Sequence, residues 1–295
     1  MLRTIDLSRS EQQEFAACLG GVITAPYGES FDECLKGISA SRDRMPSRLL
    51  DALVSFKEQS GDAGTMLIRG IPVPASLPST PTIPYDSVAD KVIGSEKYLL
   101  LVGSIIGTPI GFADWHQGER IQNLYPIREL ECVQCASNAV YLEMHTETAF
   151  RPTTPLHLAL LCLKADPRRE ARTVFCNLAE VIGSMSNEAR EVLTSPRFCF
   201  RHDNGFTEPK PIDTMQQSKR RLHYAEALTA TDPIGLEVLS ELKQRILAQS
   251  LVVELQPGDL VLIDNYHVVH GRTAYSPRYD GNDRWLQRVL IGSPN

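Results

Sequence analysis

From Gly111 onward the chain breaks into short apolar runs bounded by turn residues, and this texture restricts the fold more than any other feature. Residues 120–124, 130–135, 140–144, 156–163 and 172–176 each have the length and composition of a strand. Further on, 251–255 forms a strand, Gln256-Pro257-Gly258-Asp259 turns it, 260–263 returns, and 284–291 is the last strand. Helices interrupt the series without regular alternation. One spans 186–193, and another starts at Asp232-Pro233 with Leu236, Leu239, Ile246 and Leu247 on its apolar side. Many strands without β-α alternation predict an α+β fold, a jelly-roll or sandwich core decorated with helices.

The first third is helical. Ser8-Arg9-Ser10-Glu11 has capping-box spacing ahead of Phe15, Cys18 and Leu19. Further helices are expected over 31–38, from Pro46 until Gly61 stops it, and over 92–106, with a strand at 65–69 and a Pro- and Ser-rich surface loop at 72–84. No internal repeat is visible, and 295 residues can close one large core. The expected organisation is a single domain, 1–295, with a helical N-terminal layer over about 1–110. Residues 200–231 lack a clear period and are too long for an ordinary connection, so they are a candidate lid.

Composition excludes several classes of function. Thirty basic against 36 acidic residues, formally −6, leave neither a nucleic-acid footprint nor a polybasic membrane patch. The longest apolar run, 98–106, is far too short for a bilayer, and the first residues lack the apolar stretch of a signal peptide. Seven scattered cysteines in a chain of this size read as reduced thiols, so a cytoplasmic protein is expected. Cys132-Val133-Gln134-Cys135 has no second pair to complete a zinc site; it reads as small apolar filler near a strand.

His145-Thr146-Glu147 carries the chemistry. In an extended segment its imidazole and carboxylate share a face with about 6.6 Å between their Cα atoms. Two His and one carboxylate with open positions opposite describe a non-haem Fe(II) oxygenase centre. The second imidazole would come from His270, just past a strand and on a loop, or from His267 three residues earlier. Arg284 and Arg288 stand four residues apart and so share a strand face, roughly 13 Å apart. Each guanidinium could anchor a different carboxylate; an edge strand with its charges in water is the alternative.

His145-Thr146-Glu147, Gln256-Pro257-Gly258-Asp259, Asp264-Asn265, His270 and the run from Ser276 through Asp283 to Arg288 together resemble the clavaminate synthase group. That group falls within the taurine-dioxygenase-like superfamily of Fe(II)/2-oxoglutarate oxygenases, which includes amino-acid hydroxylases. The resemblance runs from about Gln122 to the C-terminus. It implies a double-stranded β-helix (jelly-roll) core and Fe(II) held by His145, Glu147 and His270, with 2-oxoglutarate and O2 as co-substrates. It places Arg284 and Thr173 on the distal carboxylate of 2-oxoglutarate, and Arg288 on a carboxylate or carbonyl of the primary substrate. Gln122 and Ser137 would be polar substrate contacts.

The intact Glu147 separates the chain from related halogenases, which lack this carboxylate to make room for chloride. Hydroxylation of a small amino-acid-derived molecule is therefore the expected default, on a free amino acid or a cyclic dipeptide in natural-product biosynthesis, with desaturation and ring closure as the other outcomes the same centre supports. In the lid, Ala225 stands where arginine hydroxylases of the group have an acid; Glu226, Asp203 and Glu208 are the acids nearby. Two other readings stand beside this one: a taurine-dioxygenase-like catabolic oxygenase of a sulfonate or organic acid, and a cupin-like binding protein. Oligomeric state is not legible.

Overall fold

The computed structural model describes residues 2–22, 24–83, 93–202, 205–216 and 219–293. The N-terminal part holds β1 (Arg3–Asp6), α1 (Arg9–Cys18), α2 (Phe31–Ser39), α3 (Ser47–Ala63), β2 (Thr65–Arg69) and α4 (Glu96–Ile106). The Ser8 hydroxyl caps α1 by accepting from the Glu11 backbone N, while the Glu11 carboxylate accepts from the Ser8 N at 2.8 Å. Gly61 does not stop α3. The helix runs to Ala63, and the left-handed turn falls on Gly64 (φ +68°), where the backbone requires it. The first residue expected in the fourth helix, Val92, and the last of the loop, Pro84, lie outside the described residues.

Two sheets follow from β3 (Thr108–Ile110), β4 (Ile121–Leu124), β5 (Leu142–His145), β6 (His157–Lys164), β7 (Thr173–Asn177) and, beyond the lid, β14 to β17. Between them come α5 (Leu178–Gly183), α6 (Asn187–Leu193) and the short lid strands β8 (Phe198–Cys199), β9 (Arg201–His202), β10 (Gly205–Phe206), β11 (Asp213–Gln216), β12 (Lys219–Leu222) and β13 (Thr229–Ala230). Then come α7 (Pro233–Gln249), β14 (Leu251–Val253), β15 (Leu260–Asp264), β16 (Val268–Arg272) and β17 (Trp285–Gly292). The larger sheet has the order β1-β2-β15-β6-β17-β3 with β4 also on β17; the smaller has β14-β7-β16-β5.

The central strands are apolar on both faces, and their alternation sorts the core into layers. On β6, Leu158, Leu160 and Cys162 face the cluster between the sheets, with Phe175 and Val268 opposite, while Ala159, Leu161 and Leu163 face the N-terminal helices. β15 divides the same way, Val261 and Ile263 inward, Leu260 and Leu262 outward. On the far side α5, α6, α7 and the lid residues Ile212, Leu222 and Tyr224 cover the smaller sheet. This is the jelly roll, and α1 to α4 form the helical layer against its larger sheet.

Three expectations are corrected. Residues 130–135 form no strand, because the chain folds back there, with the Glu131 carbonyl accepting from both Ala139 and Val140. The turn at 256–259 does not close a hairpin: β14 pairs with β7 and β15 with β6, so the chain crosses from one sheet to the other. Residues 200–231, for which no clear period was expected, carry short antiparallel pairs, β9 with β10 and β11 with β12, and β13 pairs with β8 just before the stretch.

Cys132 is exposed and so fills no core, and the seven cysteines are free thiols. Among the described residues no helix is long and apolar enough to cross a membrane.

Candidate metal centre

His145 closes β5 and faces His270, its register partner, in the middle of β16 rather than on a loop. Their ring centroids lie 4.5 Å apart. Glu147 follows two residues on, and one donor atom each from His145, Glu147 and His270 lies within 4.8 Å of the others. The Nδ1 of His145 is 2.7 Å from the Glu143 carbonyl, which makes it the protonated nitrogen and leaves the Nε2 lone pair for a ligand. The Nε2 of His270 is 3.7 Å from Glu147 Oε2. His267 is directed elsewhere, its Nδ1 2.8 Å from Asp264 Oδ2 in the turn before β16.

Glu147 is clamped by one side chain. Asn265 Oδ1 accepts from the Glu147 backbone N at 2.6 Å, and Asn265 Nδ2 donates to the carbonyls of Glu147 (3.2 Å) and Pro155 (2.9 Å). Electrostatics favour the metal-binding forms. Burial pushes His145 down to about 4, helped by His270, so the ring is neutral at pH 7. Burial alone would raise Glu147, but Arg288, His270 and His145 outweigh it and hold the carboxyl well below the usual range. Two imidazoles and a carboxylate with their donor atoms within 4.8 Å of one another fit Fe(II).

Both predicted arginines are buried, and neither is on an edge. β17 runs between β6 and β3/β4 with Leu286, Arg288 and Leu290 inward. Arg288 donates from Nε to Gln122 Oε1 and from Nη1 to Glu147 Oε2, both at 2.8 Å, and its guanidinium carbon sits 4.8 Å from the Trp115 ring centroid. Its Nη2 has no partner, nor has Gln122 Nε2 or Thr148 Oγ1, although all three are buried.

Thr173 begins β7, and Arg284 lies one residue before β17. No carboxylate among the described residues is within ion-pair distance of it. Burial therefore lowers its pKa, opposed only by longer-range effects of Tyr275, Cys162 and Asp166. The Thr173 hydroxyl is likewise buried without a partner. A buried cation without an acid partner and a buried hydroxyl without an acceptor are each groups of the kind a carboxylate satisfies.

The remaining residues singled out from sequence are placed differently. Ser137 is buried, and its carbonyl accepts from Ile127 at 3.1 Å. Glu226 Oε2 accepts from the Met144 backbone at 3.1 Å and from the Tyr141 hydroxyl at 3.0 Å, pinning the lid to β5. Glu208 is exposed, and Asp203 lies outside the described residues. Ala225 bridges His145 and packs on the outer apolar cluster. Sequence reasoning assigned no role to Asn265, although the Asp-Asn pair after β15 was visible, and it missed Trp115 and Thr148. A lone Trp in a stretch without periodicity carries no signal.

A jelly roll holding two imidazoles and a carboxylate, with an acid-free guanidinium buried beyond them, defines a Fe(II)/2-oxoglutarate-dependent oxygenase. The family model described as taurine catabolism dioxygenase TauD, TfdA family matches residues 100–290. L-asparagine oxygenase of Streptomyces coelicolor is 32% identical over 256 residues, covering 83% of this chain and 76% of the relative. Clavaminate synthase 2 of Streptomyces clavuligerus is 30% identical over 261 residues, covering 84% and 80%. A crystal structure of asparagine oxygenase with Fe(II), 2S,3S-3-hydroxyasparagine and succinate superposes with a TM-score of 0.89 at 27% identity, over 99% of this chain and 94% of that one. The chain belongs to the TauD/TfdA family, and within it is similar to the clavaminate synthase group and its amino-acid hydroxylases. Its metal is Fe(II) and its co-substrate 2-oxoglutarate.

Proposed function

We propose that this chain, organised as one domain with a lid over 200–231, hydroxylates an unactivated C–H bond of a small amino-acid-derived substrate. His145, Glu147 and His270 hold Fe(II), and Arg284 with Thr173 takes the distal carboxylate of 2-oxoglutarate. Arg288 and Gln122 receive a carboxylate or carbonyl of the primary substrate. The observation that carries this reading is the set of buried donors left without a protein acceptor, Thr173 Oγ1, Arg288 Nη2, Gln122 Nε2 and Thr148 Oγ1, together with Arg284, which has no acid partner among the described residues. Acceptor-bearing molecules are thereby called for.

When bound, Fe(II) with 2-oxoglutarate and O2 supplies the oxidising power, with succinate and CO2 as by-products. The protein does the placing. Arg284 and Thr173 fix one end of the co-substrate, and burial strengthens that contact because no water competes for the guanidinium. Arg288 is fixed by Gln122 and Glu147 so that one edge, Nη2, remains for the substrate. Glu147 is kept ionised and oriented by Asn265 and Arg288. Tyr224 and Glu226 hydrogen-bond the lid to β5 beside His145 and exclude water from that side.

A neutral side chain on the substrate fits better than a cationic one. Glu226 is committed to Met144 and Tyr141, and Glu208 faces solvent. Reaction mixtures with Fe(II), 2-oxoglutarate and a panel of amino acids and cyclic dipeptides test the proposal by mass spectrometry. A gain of one oxygen with stoichiometric succinate is the expected result. Turnover confined to sulfonates or simple organic acids would move the chain to a catabolic oxygenase, and absence of metal binding would leave only a binding protein.

A further inference from the structure

Trp115 lies on a loop that is tightly constrained but carries none of the triad. Its ring covers one face of the Arg288 guanidinium at 4.8 Å and packs against Phe112 (centroids 6.2 Å) and His116 (5.0 Å). The next residues, His116 (φ +47°), Gln117 (φ +56°) and Gly118 (φ +79°), all adopt left-handed backbone. Two of them are not glycine, and such strain persists only where the surroundings over-determine the conformation. The loop is clipped to the segment after Glu147 by Arg151. Arg151 Nη1 lies 2.9 Å from Asp114 Oδ1, and its guanidinium carbon sits 4.9 Å from the Phe112 ring and 5.7 Å from the Phe150 ring. Its backbone N donates to the Thr148 carbonyl at 2.9 Å. The contacts close a circuit: Glu147, Arg288, Trp115, Phe112, Arg151 and back to Glu147 through Thr148.

We propose that Trp115, held in place by the Asp114–Arg151 clip, is a positioning residue for Arg288. It fixes the guanidinium plane so that Nη2 faces the substrate and only Nη1 engages Glu147. This rests on the substrate-binding role proposed for Arg288. The geometry requires such a device. The guanidinium fork matches a carboxylate with two parallel bonds, and Glu147 is the acid within its reach. A guanidinium free to turn would pair with Glu147 bidentately, withdrawing its substrate-facing edge and engaging Oε1 in addition to the Oε2 that already faces both Nη1 and His270. The indole blocks that rotation sterically and rewards the observed plane by a cation–π contact.

The test uses full-length Fe(II) enzyme with 2-oxoglutarate and the panel of amino acids and cyclic dipeptides, comparing wild type with W115L, W115F and D114N. For the panel member turned over best, W115L should raise KM about tenfold, the size of one partly buried cation–π contact, with kcat within about threefold. KM for 2-oxoglutarate should not change. W115F should recover most of the loss because it keeps an aromatic face, and D114N should fall between.

A second readout needs no turnover. In the metal-free protein the Arg288 Nε–Hε NMR resonance, assigned by its loss in R288K, should be ring-shielded in wild type and W115F and unshielded in W115L. Unaltered substrate KM in W115L, or an equal rise for 2-oxoglutarate, overturns the proposal. An unshielded Arg288 resonance in wild type overturns it too, whatever the substrate. Shielding with no panel turnover would instead remove the amino-acid reading and leave the positioning contact standing.

Discussion

Arg288 Nη1 and Glu147 Oε2 meet at 2.8 Å between the two sheets, with each side chain about 5% exposed. Arg284, four residues earlier and equally interior, has no such acid among the described residues. One guanidinium is therefore paired with an acid of the protein, and the other has no acid partner among the described residues. Removing one partner of a buried pair strands the other charge and costs about 3–5 kcal/mol, whereas removing an unpaired buried charge relieves a penalty. Arg288→Met should accordingly lower the unfolding free energy of the metal-free protein by roughly 3 kcal/mol. Arg284→Met should leave it unchanged or raise it by on the order of 1 kcal/mol. Affinity for 2-oxoglutarate should move the other way, weakening about tenfold to a hundredfold in Arg284→Met and much less in Arg288→Met. Urea unfolding and anaerobic 2-oxoglutarate titration check both halves, and equal effects of the two substitutions would remove the separation of roles.

Asn265 uses three polar contacts to hold the backbone of Glu147 and the carbonyl of Pro155. Its amide thus sets where the carboxylate starts without touching the ligand oxygen. Loss of such a support typically lowers metal affinity by about 10- to 100-fold. Asn265→Ala should do so in a Co(II) titration of the metal-free protein, and should also cost about 2 kcal/mol by stranding the buried Glu147 N–H. Unchanged Co(II) affinity would reduce Asn265 to a purely structural role.

What the sequence made legible was local. Ser8 and Asp232 cap their helices through the side chains that the pattern indicated. β6 and β17 were readable as strands because each is a short, mainly apolar run bounded by turn residues, as burial on both faces requires. Leu251 to Ile263 was misread because Gln256-Pro257-Gly258-Asp259 has the same turn chemistry whether the chain returns beside itself or crosses to the other sheet. Only long-range pairing decides between them. At the site, His145, Glu147 and His270 were named from residue type and order, with Arg284 and Arg288 following from their shared face. Trp115 and Thr148 were not, because a neighbour brought in by a loop leaves no periodic trace. Glu226 shows the converse limit: an acid in a lid can as well be a brace as a ligand contact, and its hydrogen bonds to Met144 and Tyr141 are tertiary facts.

The crossing turn offers a test of fold without chemistry. Gly258 has φ +87°, and a Cβ there would lie 2.8 Å from the Ile71 carbonyl oxygen. That contact cannot relax freely, because Gly258 N donates to the Cys162 carbonyl and its own carbonyl accepts from Ile71, both at 2.9 Å. Gly258→Ala should cost roughly 2 kcal/mol in urea unfolding and leave Co(II) affinity of the folded fraction unchanged. A neutral effect on stability would mean that the turn is free to rearrange.

Acid sensitivity follows from histidines buried in neutral form. Burial pushes His223 in the lid down to about 4, with Arg221 and Lys210 adding to it, and His116 down to about 4, with Arg288 adding. His157 is lowered as well, again chiefly by burial. In the unfolded chain such rings titrate near their ordinary value of about 6.5. Between about 4 and 6.5 the unfolded state therefore binds more protons than the folded one, so stability falls as pH falls through that window and is fully present above it. The Glu147 carboxyl, held low, adds its own loss only below the ordinary carboxylate value of about 4.5, whereas Glu119 and Glu143, raised chiefly by burial, oppose the histidine effect at the acid end of the window. The urea midpoint of the metal-free protein should drop from pH 7.5 to pH 5.0, and His223→Gln should flatten part of that slope while leaving the pH 7.5 value nearly intact. A midpoint independent of pH across this range would mean that these rings are solvated in the folded protein and that the lid does not shield His223.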